Sequence, residues 1–140
     1  MAVIAVRGFL VVLTLSLTTG SAFADGFGFM TPSGNIYCNG FVSGGGAIDC
    51  TIVSRSGEFA LPKPASCVGL WGHEFMLEGS GPASMACGGA PESVDYSDIA
   101  GYGASADFGD ISCTSERTGL TCRNTSGHGF FLSRRKQEIW

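Results

Sequence analysis

The stretch Gly34-Asn35-Ile36-Tyr37-Cys38 is repeated as Gly109-Asp110-Ile111-Ser112-Cys113, and each copy precedes a similar partner stretch, Ile48-Asp49-Cys50-Thr51 or Leu120-Thr121-Cys122-Arg123. An apolar residue stands two positions before each of these four cysteines. In a β-strand, residues two apart share a face, so all four cysteines should point to one buried side. Facing residues of an antiparallel pair lie at the separation that a disulfide needs. The repeat therefore predicts two hairpins closed by Cys38–Cys50 and Cys113–Cys122, which leaves Cys67 to pair with Cys87.

The first 24 residues have the features of a secretory signal. One basic residue, Arg7, precedes a short apolar run from Phe9 to Leu17, and Ala22-Phe23-Ala24 matches a cleavage site. The apolar run is too short to span a bilayer, so we expect removal and no membrane span in the mature chain. We predict a signal peptide over 1–24 and one disulfide-rich β domain over 25–140, in the periplasm or outside the cell.

Composition narrows the possible functions. An even number of cysteines, six, in a small exported chain favours disulfides over metal or redox chemistry, and no C-x-x-C pair occurs. Without Arg7 the chain has seven Lys/Arg and twelve Asp/Glu, a net charge of −5. That sign argues against nucleic acid and anionic membrane surfaces as partners. We predict no cofactor and no metal site.

Short strands separated by turn signals run through the rest of the chain. The stretch 73–78 alternates in polarity and turns at Gly79-Ser80-Gly81-Pro82 into a return strand over 83–87. The stretch 88–107 lacks Lys and Arg and is expected to be a long surface loop with at most one short strand. A last strand is expected over 129–134. The pattern predicts an all-β fold, a small disulfide-stapled sandwich or partly open barrel built from three hairpins.

Four stretches of the sequence carry a resemblance to a known family. They are Thr31-Pro32-Ser33-Gly34-Asn35-Ile36-Tyr37-Cys38, Trp71-Gly72, Gly119-Leu120-Thr121-Cys122-Arg123-Asn124 and Gly127-His128-Gly129-Phe130-Phe131-Leu132-Ser133-Arg134. In these the chain resembles a family of small exported, disulfide-rich bacterial domains of unknown function. It departs from that family after Cys87, where Gly89-Ala90-Pro91 replaces the expected Gly-Asp-Thr. The resemblance implies export and disulfides and supplies no catalytic residue.

His128 is the single candidate for catalysis. Two glycines flank it and leave its imidazole accessible, which suits a general base, although a hydrogen-bonded tight turn explains the same pattern. His73-Glu74 lacks the second histidine of a metalloprotease motif, because Leu77 stands there. No G-x-S-x-G motif of a serine hydrolase occurs.

Other polar and aromatic residues give weaker signals. Asp95, Asp98, Asp107 and Asp110 could offer oxygen ligands to calcium, but their spacing matches no known calcium loop. Asn124-Thr125-Ser126 fits a glycosylation sequon and is read as a polar turn. Phe130 and Phe131 are adjacent in a strand and must point opposite ways, so one of them needs cover or forms a surface patch. The candidate binding residues are Trp71, His128, Phe130 and Arg134.

Taken together, these patterns predict a non-enzymatic binding or interaction module of the cell envelope or exterior. Its expected partner is an envelope or extracellular protein or a glycan. The alternative is a small secreted hydrolase that uses His128 with a carboxylate from the loop over 88–110.

Overall fold

Ten short strands make up most of the fold. The computed structural model describes residues 27–94 and 96–140, so the predicted signal peptide lies outside the described residues. One short 3-10 turn, Ser43–Gly45, joins the second and third strands. The strands are β1 Phe27–Met30, β2 Ile36–Phe41, β3 Ala47–Ile52, β4 Leu70–Glu78, β5 Ser84–Gly88, β6 Ser105–Phe108, β7 Ile111–Glu116, β8 Gly119–Asn124, β9 Gly129–Leu132 and β10 Gln137–Ile139.

The strands form two five-stranded antiparallel sheets. Sheet 1 has the order β1-β2-β3-β4-β5 and sheet 2 the order β10-β9-β8-β7-β6. Within each sheet, strands that are consecutive in sequence pair with each other, as in a chain of hairpins, and the chain crosses from sheet 1 to sheet 2 between β5 and β6. The prediction of an all-β sandwich is confirmed, with the sheets remaining separate and not closing into a barrel.

The hydrophobic core lies between the two sheets. Alternate residues of each central strand point inward, as Ile48, Cys50 and Ile52 do in β3. The β4 strand packs across β8 and β9, where the rings of Phe75 and Phe130 lie 5.9 Å apart, centroid to centroid. Because these side chains are fully buried, this contact between the sheets is the centre of the fold.

Three disulfides cross-link the strands and loops. Cys38 is joined to Cys50, Cys67 to Cys87 and Cys113 to Cys122, which is the pairing that the hairpin pattern predicts. The first and third bonds connect residues that face each other directly across β2–β3 and β7–β8. Their four cysteines lie in the core, whereas Cys87 of the second bond is exposed.

The edges of the sandwich differ from the prediction. The strands β1, β6 and β10 extend the three predicted hairpins. The sequence pattern does not predict β1 or β10. The β10 strand follows the basic run 134–136, and its partner β9 supplies its backbone hydrogen bonds. The β4 strand starts at Leu70 because Gly72, at a φ of 92°, allows an irregular register between Leu70 and Glu74. The β9 strand ends at Leu132, two residues before Arg134, where the sequence predicts its end.

Side-chain hydrogen bonds tie the sheets together at one end of the strands. Arg55, in the connection after β3, donates from Nε to Oε1 of Gln137 in β10, at 2.8 Å. The Ser56 backbone N–H donates to the Arg134 carbonyl at 2.7 Å. Gln137 is buried and also donates from Nε2 to the Ser133 carbonyl. This network fixes the β9–β10 turn against sheet 1.

Cys38–Cys50 should stabilise the fold more than the length of its loop alone predicts. Chain entropy alone assigns about 2.8 kcal/mol to Cys38–Cys50 and about 3.3 kcal/mol to Cys67–Cys87, from separations of 12 and 20 residues. Cys38→Ala/Cys50→Ala also leaves a core cavity, so we expect it to lower the free energy of unfolding more than Cys67→Ala/Cys87→Ala does. Denaturant unfolding of both variants tests this. The opposite order would mean that loop closure alone governs their contribution.

Asp49 should make stability depend weakly on pH. It lies on the outer face of β3 between Asn39 and Met76, and desolvation raises the pKa of its carboxyl group above 3.8. The folded protein therefore holds this proton more tightly, and the free energy of unfolding falls as the pH rises past 3.8 toward the raised pKa.

We therefore expect Asp49→Asn to stabilise the protein at neutral pH, by at most about 0.5 kcal/mol because the residue is exposed. The difference should vanish at pH values below the unfolded pKa. Thermal melts across pH measure it, with Glu116→Gln as a control for the same change of charge. Equal effects of the two variants at neutral pH would contradict the assignment to Asp49.

Candidate functional site

The four residues predicted to bind a ligand, Trp71, His128, Phe130 and Arg134, lie in different surroundings. Trp71 is buried, and its indole Nε1 donates to the Leu61 carbonyl at 2.8 Å, which holds the proline-rich connector against β4. Phe130 is fully buried against Phe75, so a ligand at the surface cannot reach it. Arg134 is exposed beside Ser33 and Arg117 in a shallow surface groove.

Of the adjacent residues Phe130 and Phe131, Phe131 is the one that points away from the core, and it is partly covered. Its ring lies where a Cβ atom on Gly119 would be, so the glycine makes room for it at the start of β8. Phe131 is half-buried as a result.

His128 belongs to a tight turn between β8 and β9. The Gly127 N–H donates to the Asn124 carbonyl, and the His128 N–H donates to the Asn124 side-chain oxygen at 3.1 Å. The hydrogen bonds that His128 makes in this turn use its backbone and not its imidazole. Across residues 27–94 and 96–140, one ion pair forms, Lys136 with Glu138, so no carboxylate is paired with His128 there.

Asn124 is the residue of this turn that sequence reasoning undervalued. It is buried, and its amide nitrogen donates to the Glu78 and Gly81 carbonyls at 3.0 and 2.8 Å. Its oxygen accepts from Ser126 and from the His128 backbone. One side chain thus ties sheet 2 to the β4–β5 turn of sheet 1. Its burial also hides the nitrogen that the sequon would offer for glycosylation.

The acidic residues considered for calcium do not converge. Asp98 and Asp107 line one pocket, and Asp110 lies in the β6–β7 turn outside it. Asp95 is outside the described residues. In the part of the chain that the structure describes, no group of three or more His, Cys, Asp or Glu side chains could hold a metal ion.

The strongest candidate site is an apolar pocket of about 390 Å³ between the two sheets. It opens where β1, the edge of sheet 1, faces β6, the edge of sheet 2, and we call it the β1–β6 pocket. Cys113 and Leu120, both buried, form its floor. The remaining lining residues are Phe27, Gly28, Phe29, Val42, Asp98, Ile99, Ala100, Ala104, Ser105, Ala106, Asp107, Phe108 and Ser115.

The pocket exists because the side chains on one of its walls are small. Ala106 pairs with Cys113 and so points inward, yet it is exposed, because nothing packs on it from sheet 1. Ala100 and Ala104 line the same side. On the other side, Phe29 of β1 and Phe108 of β6 stack at 5.9 Å across the gap between the sheets. The Phe108 ring occupies the place that a Cβ on Gly40 would take, which holds the ring in position.

Backbone hydrogen bonds fix the segment 96–104 as a wall of the pocket. On the sheet 1 side, Met30 N–H donates to the Asp98 carbonyl and Ala100 N–H to the Met30 carbonyl. On the sheet 2 side, the buried Ser115 hydroxyl donates to the Ala100 carbonyl at 2.8 Å, and the Ser115 N–H donates to the Ala104 carbonyl. The pocket is therefore preformed, as small-molecule sites usually are.

The pocket mouth is apolar and negatively charged. Phe27, Val42 and Ile99 are 54%, 50% and 58% exposed there, which is unusual for large apolar side chains grouped at one opening. One acidic residue, Asp98, stands exposed among them. Asp107 of β6 also borders the pocket, but it pairs with the exposed Ser112, so its side chain points to the outer face of sheet 2. The described residues that line the pocket include no Lys, Arg or His.

Sequence reasoning missed this site, although it contained two signals. The stretch 88–107 lacks Lys and Arg and is rich in Gly, Ala and Ser, but its sequence does not show that alanines take inward positions of an edge strand and leave a cavity. Such a reading needs the position of the facing sheet, which the local pattern does not contain.

Comparison with known proteins gives a family. The model of a protein family described as "Family of unknown function (DUF6636)" matches residues 9–140. No curated protein and no solved structure matches the chain. Among the described residues, no helix is long and apolar enough to cross a membrane.

The two residues of the β8–β9 turn should behave differently when changed. Asn124→Ala leaves the Glu78 and Gly81 carbonyls and the His128 N–H, all in partly buried hydrogen bonds, without their side-chain partner, and we expect a loss of about 1–3 kcal/mol of stability. His128→Asn removes an imidazole with no structural bond, and asparagine fits turns, so the loss should be within about 0.5 kcal/mol. Denaturant melts of both variants measure this. A larger loss for His128→Asn would give the imidazole a structural role.

Proposed function

The chain belongs to the family of unknown function DUF6636, and we propose that it is a non-enzymatic binding module that acts outside the cytoplasm and holds a small apolar molecule in the β1–β6 pocket. The preformed apolar cavity between β1 and β6 is the observation that carries this proposal.

The size and chemistry of the pocket suit a small molecule. Its volume of about 390 Å³ falls within the range of about 300–1,000 Å³ found for ligand pockets. Its walls are phenylalanine, leucine, isoleucine and alanine side chains, and transfer of apolar ligand surface from water to such walls is favourable. Since the wall over 96–104 is already hydrogen-bonded on both sides, binding needs little ordering of the chain.

Two features support the proposal that the protein acts outside the cytoplasm. Residues 1–24 have the pattern of a secretory signal, and three disulfides are compatible with an oxidising environment. Two of these bonds lie in the core, where the fold depends on them.

The surroundings of His128 give no support to the hydrolase alternative, since no carboxylate is paired with the imidazole among the described residues. The protein and glycan partners predicted from sequence remain predictions. A glycan would need hydrogen-bonding groups for its hydroxyls, and the β1–β6 pocket offers few, so the pocket favours an apolar molecule over a sugar.

Filling the pocket should abolish binding. Titration of the isotope-labelled protein with octan-1-ol should shift the backbone amide signals of Ala100, Ala104 and Ala106. Ala106→Phe places a ring in the open space and should weaken this binding at least about tenfold, without lowering stability. Affinity comes from the titration curves and stability from thermal melts.

Ser112→Phe is the matched control. Ser112 is exposed on the neighbouring strand β7 and does not line the pocket, so this variant should bind octan-1-ol as the native protein does. Shifts scattered over the surface, or equal affinity of the native and Ala106→Phe proteins, would refute a binding role for this pocket.

A further inference from the structure

The charge around the β1–β6 pocket is of one sign. Asp98 lines the mouth and is exposed, and the described residues of the lining include no cation. The whole stretch 88–107, which supplies one wall and most of β6, has no Lys or Arg. Arg117, which stacks on Tyr102 at 5.0 Å, is not among the residues that line the pocket. A ligand with a negative head group would therefore meet repulsion at the mouth, and a positive one attraction.

Aromatic rings add to this preference. Phe27 at the mouth exposes more than half of its surface, and Phe29 and Phe108 stand deeper as a stacked pair. The faces of phenylalanine rings attract cations, and alkylated ammonium groups are commonly bound by such rings together with carboxylates. The two features point to the same ligand charge for independent physical reasons.

We propose that the ligand of the β1–β6 pocket is a cationic amphiphile, with an apolar chain and an ammonium or alkylated ammonium head group. This inference rests on the proposed function and specifies its ligand. The chain lies on the floor of the pocket over Leu120 and beside Phe29 and Phe108. The head group lies at the mouth, between Asp98 and the ring of Phe27.

Three probes of equal chain length separate the contribution of charge from that of apolar burial. They are octyltrimethylammonium, octan-1-ol and octanoate, each titrated below its micelle-forming concentration into the purified protein. We expect octyltrimethylammonium to bind about three- to tenfold more tightly than octan-1-ol, and octanoate to bind more weakly than either. The advantage of the cation should shrink between about 0.01 M and about 1 M salt, because salt screens exposed charges.

Asp98→Asn should remove most of the preference for the cation and leave octan-1-ol affinity unchanged. The side chain is exposed, so the variant should fold as the native protein does, which a thermal melt checks. Asp107→Asn removes the same charge from a side chain that points to the outer face of sheet 2, and it should retain the preference. This control distinguishes the carboxylate at the mouth from the net charge of the protein.

The three probes test the cationic ligand and the apolar site separately. Octan-1-ol binding in the pocket without any preference for the cation would overturn the cationic ligand and leave the apolar site standing. If none of the three probes binds, both are wrong. Dimerisation that competes with octyltrimethylammonium, seen by sedimentation, would assign the pocket to a second copy of the chain and would also overturn the proposal.

Discussion

The fold depends on the contact between the inward faces of two sheets, each with a disulfide built into its core side. Cys38–Cys50 and Cys113–Cys122 connect directly facing strand residues and lie buried among isoleucine, leucine and phenylalanine side chains. A disulfide in this position restricts the unfolded chain and also fills core volume. In a chain of this size with many glycines, such bonds offset the conformational freedom that folding must remove.

Polar side chains complete the contact between the sheets where the apolar core ends. Asn124 joins β8 to the β4–β5 turn, and Arg55 with Gln137 joins the β3–β4 connection to β10 at the other end of the strands. In the described part of the chain, every buried side-chain nitrogen and oxygen has a hydrogen-bond partner. Because an unpaired buried polar group costs more than a hydrogen bond contributes, these residues fix the relative position of the sheets.

The β1–β6 pocket is a consequence of this design at one edge. Both sheets end there in four-residue strands, and Ala106, which points inward from β6, is too small to reach β1. Phe29 and Phe108 bridge part of the gap, and the segment 96–104 bridges another part through Met30 and Ser115. The space between them remains open. A core that fails to close at a hydrogen-bonded edge gives a rigid apolar site, and the proposed binding role rests on that site.

The sequence by itself determined the all-β class, the two cross-strand hairpins and the family, because each depends on local spacing: the two-residue period of a strand and the position of cysteines within it. The pairing of Cys67 with Cys87 followed from the other two. Only the three-dimensional structure shows which sheet each hairpin joins, that Phe130 is buried while Ala106 is exposed, and that Asn124 joins β8 to the β4–β5 turn. These properties depend on residues far apart in the chain, since burial is set by what the facing sheet places opposite a side chain, and no local pattern contains that information.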